Sequence, residues 1–277
     1  MLNEKIDLYN YFNQQRNGLS GGYLQLYCPA VCETLKRKIR CCQLIIPGGG
    51  YNHISPREGE PVALRFVAKG FFAAVLTYSV NAPYPAPLNE ACMAVKYLRQ
   101  NAKALGIDSQ KVCAVGFSAG GHLTGLLATL KDGEAAFDLP AKDLKPDAVI
   151  LSYPVVTTDK NFAHAGSKKI ITDGGKISAE LSIDKRVTKN AVPAFIWHTF
   201  EDETVPAENS LLLARAYRAC NVPFELHVFE KGCHGLSISN GETNDQTSAD
   251  EAVAHVGEWV NLSLNWLRSR GFTLKHE

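Results

Sequence analysis

Short apolar, β-branched runs alternate with longer stretches of helical periodicity along almost the whole chain. Runs bounded by Gly, Pro or Asp predict strands at 22–28, 42–46, 72–78, 111–116, 147–153, 193–198 and 224–229. Ala, Leu, Lys and Arg at three- and four-residue spacings predict helices at 58–69, 89–105, 119–130, 207–221 and 248–270. Strands that alternate with helices build a mostly parallel sheet covered on both faces, so the sequence predicts the α/β class.

The chain of 277 residues is short enough to form one large domain around one core. No repeat, low-complexity tract or Pro/Gly/Ser linker divides it, although the stretch from Thr157 to Asn190 is more polar and less periodic than its surroundings. We therefore expect a single domain over 1–277, with 157–190 as a small lid-like insertion before the strand at 193–198.

The charge balance argues against large charged partners. The sequence has 29 Lys and Arg against 28 Asp and Glu, a formal charge of +1, which gives no field to hold a nucleic acid or an anionic membrane. The first residues carry charges where a secretory signal needs an apolar run, so a cytoplasmic protein with eight reduced cysteines is expected. Neither a CxxC pair nor HExxH occurs, and no metal or other cofactor is expected.

The segment Gly116-Phe-Ser118-Ala-Gly120-Gly121 lies where a predicted strand ends and a predicted helix begins. A serine at such a sharp turn takes strained dihedral angles, and glycines two positions to either side remove side chains that would collide with the turn. Its Oγ is then exposed at the sheet edge, and the backbone N–H of Ala119 is directed at the same point. This pattern predicts Ser118 as a nucleophile and Ala119 as one donor of an oxyanion hole.

A second glycine-rich loop follows an earlier strand. Pro47-Gly48-Gly49-Gly50-Tyr51 comes directly after the run at 42–46, where three glycines permit close approach of the backbone. We expect Gly49 and Gly50 to supply further oxyanion donors. The alternative is a flexible turn that only joins a strand to a helix.

A serine nucleophile needs a histidine to take its proton and an acid to orient that histidine. In this type of fold both follow the serine in the chain, at the ends of later strands. Asp202 follows the run at 193–198 and His234 follows the run at 224–229, so both are the predicted partners of Ser118. Asp202 has the alternative role of a helix cap.

Other acidic residues and histidines lie near these positions or elsewhere in the chain. Glu201 or Glu203 would replace Asp202 if the loop register differed by one residue. Among the remaining histidines, structural or solvated roles are expected for His198, His227 and His255, no catalytic role for His122, and an exposed loop position or a place at the pocket mouth for His53.

These motifs together resemble the α/β-hydrolase superfamily, and within it the acetylxylan esterase-like and carbohydrate acetyl esterase branch. The resemblance also covers Ile46-Pro-Gly-Gly-Gly-Tyr51, Arg57-Glu-Gly-Glu-Pro-Val-Ala-Leu64, His198-Thr-Phe-Glu-Asp202-Glu-Thr-Val-Pro206 and Phe229-Glu-Lys-Gly-Cys-His234-Gly235. It implies Ser118 as nucleophile, Asp202 as orienting acid and His234 as base. Two positions depart from the pattern: Asn89 stands where relatives usually have Asp, and Cys233 where Pro is common.

The expected activity is therefore that of a serine carboxylesterase acting through an acyl-enzyme. Short acyl groups, above all acetyl, are expected because 157–190 is too short and polar to cover long lipid tails; the resemblance implies sugars or xylo-oligosaccharides as the alcohol half. A serine peptidase of the same fold and a non-catalytic ligand-binding homologue are the alternatives. The expected partner is a small-molecule ester, and a homo-oligomer is left open.

Overall fold

The computed structural model describes residues 2–30, 38–137, 139–174, 179–245 and 250–276. Its strands are β1 (Leu2–Asp7), β2 (Tyr23–Cys28), β3 (Lys38–Ile46), β4 (Phe72–Thr77), β5 (Ile107–Phe117), β6 (Ala148–Ser152), β7 (Ala194–Thr199), β8 (Phe224–Phe229) and the short β9 (Lys275–His276). The sheet order is β1-β2-β4-β3-β5-β6-β7-β8, with β9 paired to β3. Strands β3 to β8 run parallel, and β1 and β2 are antiparallel to their neighbours.

The helices are α1 (Leu8–Tyr11), α2 (Glu60–Ala68), α3 (Ala86–Gln100), α4 (Ala102–Leu105), α5 (Ala119–Ala128), α6 (Ala141–Leu144), α7 (Ala165–Ile171), α8 (Ile183–Arg186), α9 (Glu208–Ala219), α10 (Glu251–His255) and α11 (Trp259–Ser269). Three-residue 3₁₀ turns lie at Pro56–Glu58, Ala179–Leu181 and Val256–Glu258. Across the described ranges, none of these helices has the length and apolarity needed to cross a membrane.

Two apolar cores lie on opposite faces of the sheet. Leu44 and Ile46 of β3 pack on one face, with α3, α5 and α9, whereas Ile45 packs on the other face, with α2 and α11. Alternate residues of one strand thus feed both cores, as expected for a strand covered on both sides. The parallel strands β3, β5, β7 and β8 all end at the same edge of the sheet, and the loops that follow them meet there.

The predicted α/β class with a mostly parallel sheet is confirmed, and each predicted strand has a counterpart. The differences concern strands that the apolar pattern does not mark. β1 was missed because it is a polar, mostly exposed edge strand, and β9 because it has two residues. The predicted helix 89–105 begins earlier, at Ala86, and divides into α3 and α4, and the helix 248–270 divides into α10 and α11, with positions 248 and 249 outside the described residues.

The stretch 157–190 is more firmly attached than its polar composition indicates. Its described part contains α7, a 3₁₀ turn and α8, and it buries the side chains of Ile171, Leu181 and Ile183 in the core. The buried Arg186 guanidinium also binds both carboxylate oxygens of Glu134 at 2.6 Å. These contacts fix the stretch to the body of the protein.

Candidate active site

The loop between β5 and α5 holds Ser118 in a strained conformation, with φ 52° and ψ −117°. The flanking glycines permit this turn: a Cβ on Gly116 would collide with Thr124, and one on Gly120 would collide with the backbone of Ile46. Positive φ is costly for a residue with a side chain, so the surrounding packing must maintain it. The sharp turn places Ser118 at the edge of the sheet, as the motif predicts.

Ser118, His234 and Asp202 form one chain of hydrogen bonds. The Ser118 hydroxyl lies 2.8 Å from His234 Nε2, and His234 Nδ1 lies 2.6 Å from Asp202 Oδ2. The residues come from the loops after β5, β8 and β7, so the predicted residues converge from distant parts of the sequence. Nδ1–H donates to the carboxylate, which leaves Nε2 free to accept the serine proton.

Asp202 is held as a carboxylate. Its Oδ1 accepts the backbone N–H groups of Thr204, at 3.0 Å, and Val205, at 2.8 Å. Burial opposes the charged form, but the hydrogen bonds from His198, His234 and the backbone outweigh it, so the pKa of Asp202 lies well below its usual range. The group therefore remains ionised beside His234.

The alternatives for the acid do not occupy this position. Glu201 pairs with Lys231 at 2.7 Å on the surface and also accepts the N–H of Gly232. Glu203 is exposed. The following helix is preceded by Ala207, so Asp202 is not its cap.

His198 is the second histidine beside Asp202. It is fully buried, which agrees with the structural role expected for it. Its Nε2 lies 2.8 Å from the carbonyl of Val205 and 3.3 Å from Asp202 Oδ2. Its Nδ1 accepts from the hydroxyl of Ser210 at 2.8 Å. The sequence analysis did not predict the contact between His198 and Asp202; the only signal for it is that the two residues are four positions apart.

The glycine loop packs directly against the nucleophile. A Cβ placed on Gly48 would lie 3.0 Å from the Cβ of Ser118. Gly49 and Gly50 have φ values of 117° and 62°, conformations that favour glycine. Within the described ranges the N–H groups of Gly49, Gly50 and Ala119 have no hydrogen-bond partner, whereas that of Gly48 donates to Glu58 at 2.8 Å. Three unpaired donors thus remain in the two loops at Ser118.

His122 supports the glycine loop from inside the protein. Its Nε2–H donates to the carbonyl of Leu181 at 2.8 Å, and its Nδ1 accepts from the hydroxyl of Tyr51 at 2.8 Å. Burial lowers the pKa of His122 from 6.5 to about 4, so the ring is neutral at pH 7. It joins the glycine loop to the 157–190 stretch without reaching the reacting atoms.

This buried histidine predicts loss of stability in acid. Because its folded pKa lies below the unfolded value, its contribution is complete above pH 6.5 and is lost as the pH falls toward 4. At about 1.4 kcal/mol per pKa unit, the difference amounts to roughly 3 kcal/mol. Urea unfolding between pH 7 and 4 should show this loss, with a smaller pH slope in His122→Asn than in the wild type; an equal slope in the two proteins would contradict the assignment.

Two further histidines stand around the glycine loop. His53 is exposed, hydrogen-bonds to Asn52 and also lines a cleft beside the site, so both expectations for it, an exposed loop position and a place at the pocket mouth, agree with the structure. His164, which sequence reasoning missed, comes from the 157–190 stretch and caps α7, and its Cε1 lies 3.8 Å from the position of a Cβ on Gly50. Since Nδ1 accepts from Ser167, its Nε2 carries the ring proton at the rim of the site. A polar segment without periodicity gave no signal for this placement.

Open clefts flank the site. One, of about 530 Å³, is lined by Thr204, Cys233, His234 and Val253 among others. The other, of about 740 Å³, is lined by Pro47, His53 and Arg57 among others. The guanidinium of Arg57 lies close to Gly235, since a Cβ there would stand 2.6 Å from its Nη2.

No disulfide joins the described cysteines, and Cys32 lies outside the described residues. Burial raises the pKa of Cys41 to about 11, so its thiol is inert at neutral pH. Cys233 is exposed next to His234. Over the described part of the chain no group of three or more His, Cys, Asp or Glu residues is arranged to hold a metal ion.

The chain is similar to known hydrolases. A model of the BD-FAE family matches residues 24–217. The chain is 40% identical over 213 residues to endo-1,4-beta-xylanase B of Butyrivibrio fibrisolvens, a match that covers 73% of this chain and 33% of that protein. It is 27% identical over 226 residues to an acetylxylan esterase of Xylanibacter ruminicola, covering 78% of this chain and 44% of that protein. The matches span between one third and one half of these relatives.

Solved structures match over the whole chain. An acetyl ester-xyloside bifunctional hydrolase from Caldicellulosiruptor lactoaceticus superposes with a TM-score of 0.82 at 36% identity, covering 97% of both chains. The carboxylesterase Cest-2923 from Lactobacillus plantarum superposes with a TM-score of 0.79 at 27% identity, covering 98% of both chains. The fold therefore recurs in proteins described as hydrolases of esters.

Proposed function

The chain belongs to the BD-FAE family, and from this premise we propose that it is a serine carboxylesterase that hydrolyses short-chain acyl esters, mainly acetyl esters. The observation that carries the proposal is the continuous hydrogen-bond chain from Ser118 through His234 to Asp202. Hydrolases of known structure share its fold over nearly the full length. We further propose that residues 1–277 act as one hydrolase domain, with 157–190 at the rim of its site, and that its free thiols suit the cytoplasm.

The first half of the reaction forms an acyl-enzyme. Ser118 Oγ attacks the ester carbonyl carbon while His234 Nε2 takes the serine proton. The carbonyl oxygen becomes an oxyanion that accepts hydrogen bonds from the N–H of Ala119 and of the glycine loop, at Gly49 and Gly50. The bond to the alcohol oxygen then breaks as His234 returns the proton to that oxygen, and the acyl group remains on Ser118.

The second half releases the acid. A water molecule attacks the acyl carbon, His234 takes its proton, and the same N–H groups stabilise the second oxyanion. The bond to Ser118 breaks, and the serine recovers its proton from His234. Asp202 stays ionised throughout and stabilises the imidazolium that forms twice in each cycle.

A small acyl group and a polar alcohol fit the surroundings of Ser118. Three apolar side chains of the described part of the 157–190 stretch, those of Ile171, Leu181 and Ile183, are buried in the core, so these three form no apolar cover for a long acyl chain. The larger cleft presents Arg57 and His53 on the side of the glycine loop. Polar donors of this kind suit the hydroxyl groups of a sugar, and we propose acetylated sugars or xylo-oligosaccharides as substrates.

Labelling and an acyl series test the proposal together. A fluorophosphonate should add to Ser118 of the folded protein, as mapped by mass spectrometry of its peptides. With 4-nitrophenyl esters, kcat/KM should be highest for acetate and fall at least about tenfold by octanoate, because Ile171, Leu181 and Ile183 are buried in the core and cannot cover a longer acyl chain. A folded protein that takes no label would revive the non-catalytic alternative, and activity that rises toward dodecanoate would overturn the short-acyl preference.

A second panel separates the alcohol halves and the peptidase alternative. Acetylated xylose and xylo-oligosaccharides, ethyl acetate and aminoacyl 4-nitroanilides are compared under one set of conditions. Higher kcat/KM for the acetylated sugars than for ethyl acetate is the expected result. Faster hydrolysis of the anilides than of the acetyl esters would favour a peptidase.

A further inference from the structure

Glu58 is a buried carboxylate directly below the nucleophile. It ends the 3₁₀ turn Pro56–Glu58, a few residues after the glycine loop, and only 3% of its surface is exposed. A Cβ on Gly48 would lie 2.8 Å from Glu58 Oε2 and 3.0 Å from the Cβ of Ser118. The carboxylate is therefore separated from the serine by the backbone of one glycine.

Each carboxylate oxygen of Glu58 accepts one hydrogen bond. Oε2 accepts the N–H of Gly48 at 2.8 Å, and Oε1 accepts the hydroxyl of Tyr153 at 2.7 Å. Gly48 immediately precedes the two glycines assigned to the oxyanion hole. The hydrogen bond from Gly48 to Glu58 therefore fixes the backbone immediately before Gly49 and Gly50, which carry the proposed oxyanion donors.

The second contact leads to the base. The hydroxyl oxygen of Tyr153 accepts the N–H of Ser237 at 2.9 Å, and its ring meets the imidazole of His234 edge to face, with centroids 5.0 Å apart. Burial, reinforced by the negative charge of Glu58, raises the pKa of Tyr153 well above its ordinary value, so its hydroxyl remains a donor to Glu58. The loop that carries His234 is thereby tied to the same carboxylate as the glycine loop.

We propose that Glu58 is a positioning residue that holds the oxyanion donors and the base, His234, in the correct positions around Ser118. It acts through Gly48 and Tyr153 and does not contact substrate. Each of its two oxygens accepts a hydrogen bond from a donor, and a carboxylate can satisfy both donors. A glutamine has only one acceptor oxygen, so its NH₂ group would face either the N–H of Gly48 or the O–H of Tyr153, and that donor would lose its acceptor. An unsatisfied donor displaces the loop, and small displacements of catalytic groups lower turnover strongly.

The test compares Glu58→Gln with the wild type using 4-nitrophenyl acetate. We expect kcat to fall about 30- to 100-fold with KM within about threefold, because the loss concerns donors used in the transition state. Affinity for a trifluoromethyl ketone, which forms a tetrahedral adduct, should fall in parallel with kcat/KM. The matched control is Glu4→Gln, an exposed carboxylate on the edge strand β1, which should keep wild-type kcat.

A second variant separates positioning from a general loss of packing. Removing the hydroxyl with Tyr153→Phe frees a glutamine at 58 to turn its oxygen toward Gly48, so Glu58→Gln should cost less than about threefold in that background. Losses that multiply in the double variant would overturn the proposal, as would a Glu58→Gln protein with unchanged kcat or with a change in KM alone. If Glu58→Gln does not fold, Tyr153→Phe alone decides: we expect kcat to fall about three- to tenfold, and unchanged kcat refutes the proposal.

This inference rests on the proposed esterase activity, and the two fail in different ways. If the proposed function is wrong, the wild type does not hydrolyse acetyl esters. If only the role of Glu58 is wrong, the wild type is active and Glu58→Gln has the same kcat.

Discussion

Ser118→Ala is expected to lower kcat for 4-nitrophenyl acetate by about 10⁵- to 10⁶-fold, because no other group can form the acyl-enzyme. The oxyanion donors of the two loops remain in the variant, so a residual rate above that of water should persist. Fold should be unaffected, since Ala removes only the hydroxyl from a residue whose backbone is fixed by Gly116 and Gly120. Steady-state kinetics together with the thermal unfolding midpoint provide the measurement.

The matched control for this variant is Ser269→Ala, an exposed serine at the end of α11. It should keep wild-type kcat. Ester hydrolysis by Ser118→Ala within tenfold of the wild type would show that another residue is the nucleophile.

Asp202→Asn is expected to lower kcat by about 10⁴-fold, the effect of placing the base in the wrong tautomer. In the wild type Oδ2 accepts from His234 Nδ1, and the amide can instead turn its NH₂ group toward that nitrogen. The proton then moves to Nε2, which can no longer accept the proton of Ser118. Steady-state kinetics at several pH values measure the loss, and fluorophosphonate labelling should slow in proportion.

A surface variant on the loop that carries the base serves as the control for Asp202→Asn. Glu230→Gln changes a carboxylate on the surface, with a side chain that is 81% exposed, and should leave kcat unchanged. If Asp202→Asn lost less than tenfold, His234 would be oriented by another group, and His198 would be the first residue to examine because it contacts the same carboxylate.

The three residues of the hydrogen-bond chain were predictable because each follows a strand that the sequence pattern marks, by a buried apolar run at the ends of β5 and β7 and by alternating apolar and polar residues in β8. In a parallel sheet such ends meet at one edge, so position along the chain is enough to bring Ser118, Asp202 and His234 together. The glycine loop was predictable for the same reason. The strands themselves were predictable where burial on both faces makes them continuously apolar, and β1, which is polar and lies at the edge, was not.

Glu58 was not predictable in its role, although the motif that contains it was noticed. Its partners Gly48 and Tyr153 lie 10 and 95 positions away, and no local pattern indicates which donor a buried carboxylate will meet. His164 was missed for a related reason. It lies in a stretch without periodicity, and its place at the rim depends on how apolar residues of that stretch pack into the core.

The crowding around Gly116 and Gly120 bears on how this scaffold changes during evolution. Neither glycine can accept a side chain, since a methyl group at either would overlap Thr124 or the backbone of Ile46, whereas Ser118 fills a position whose chemistry is set by one atom. Substitution at the serine is expected to remove most of the activity and keep the fold, whereas substitution at either glycine is expected to disrupt the fold. Selection for a stable protein is therefore expected to preserve the two glycines, but not the serine, after selection for activity has ended.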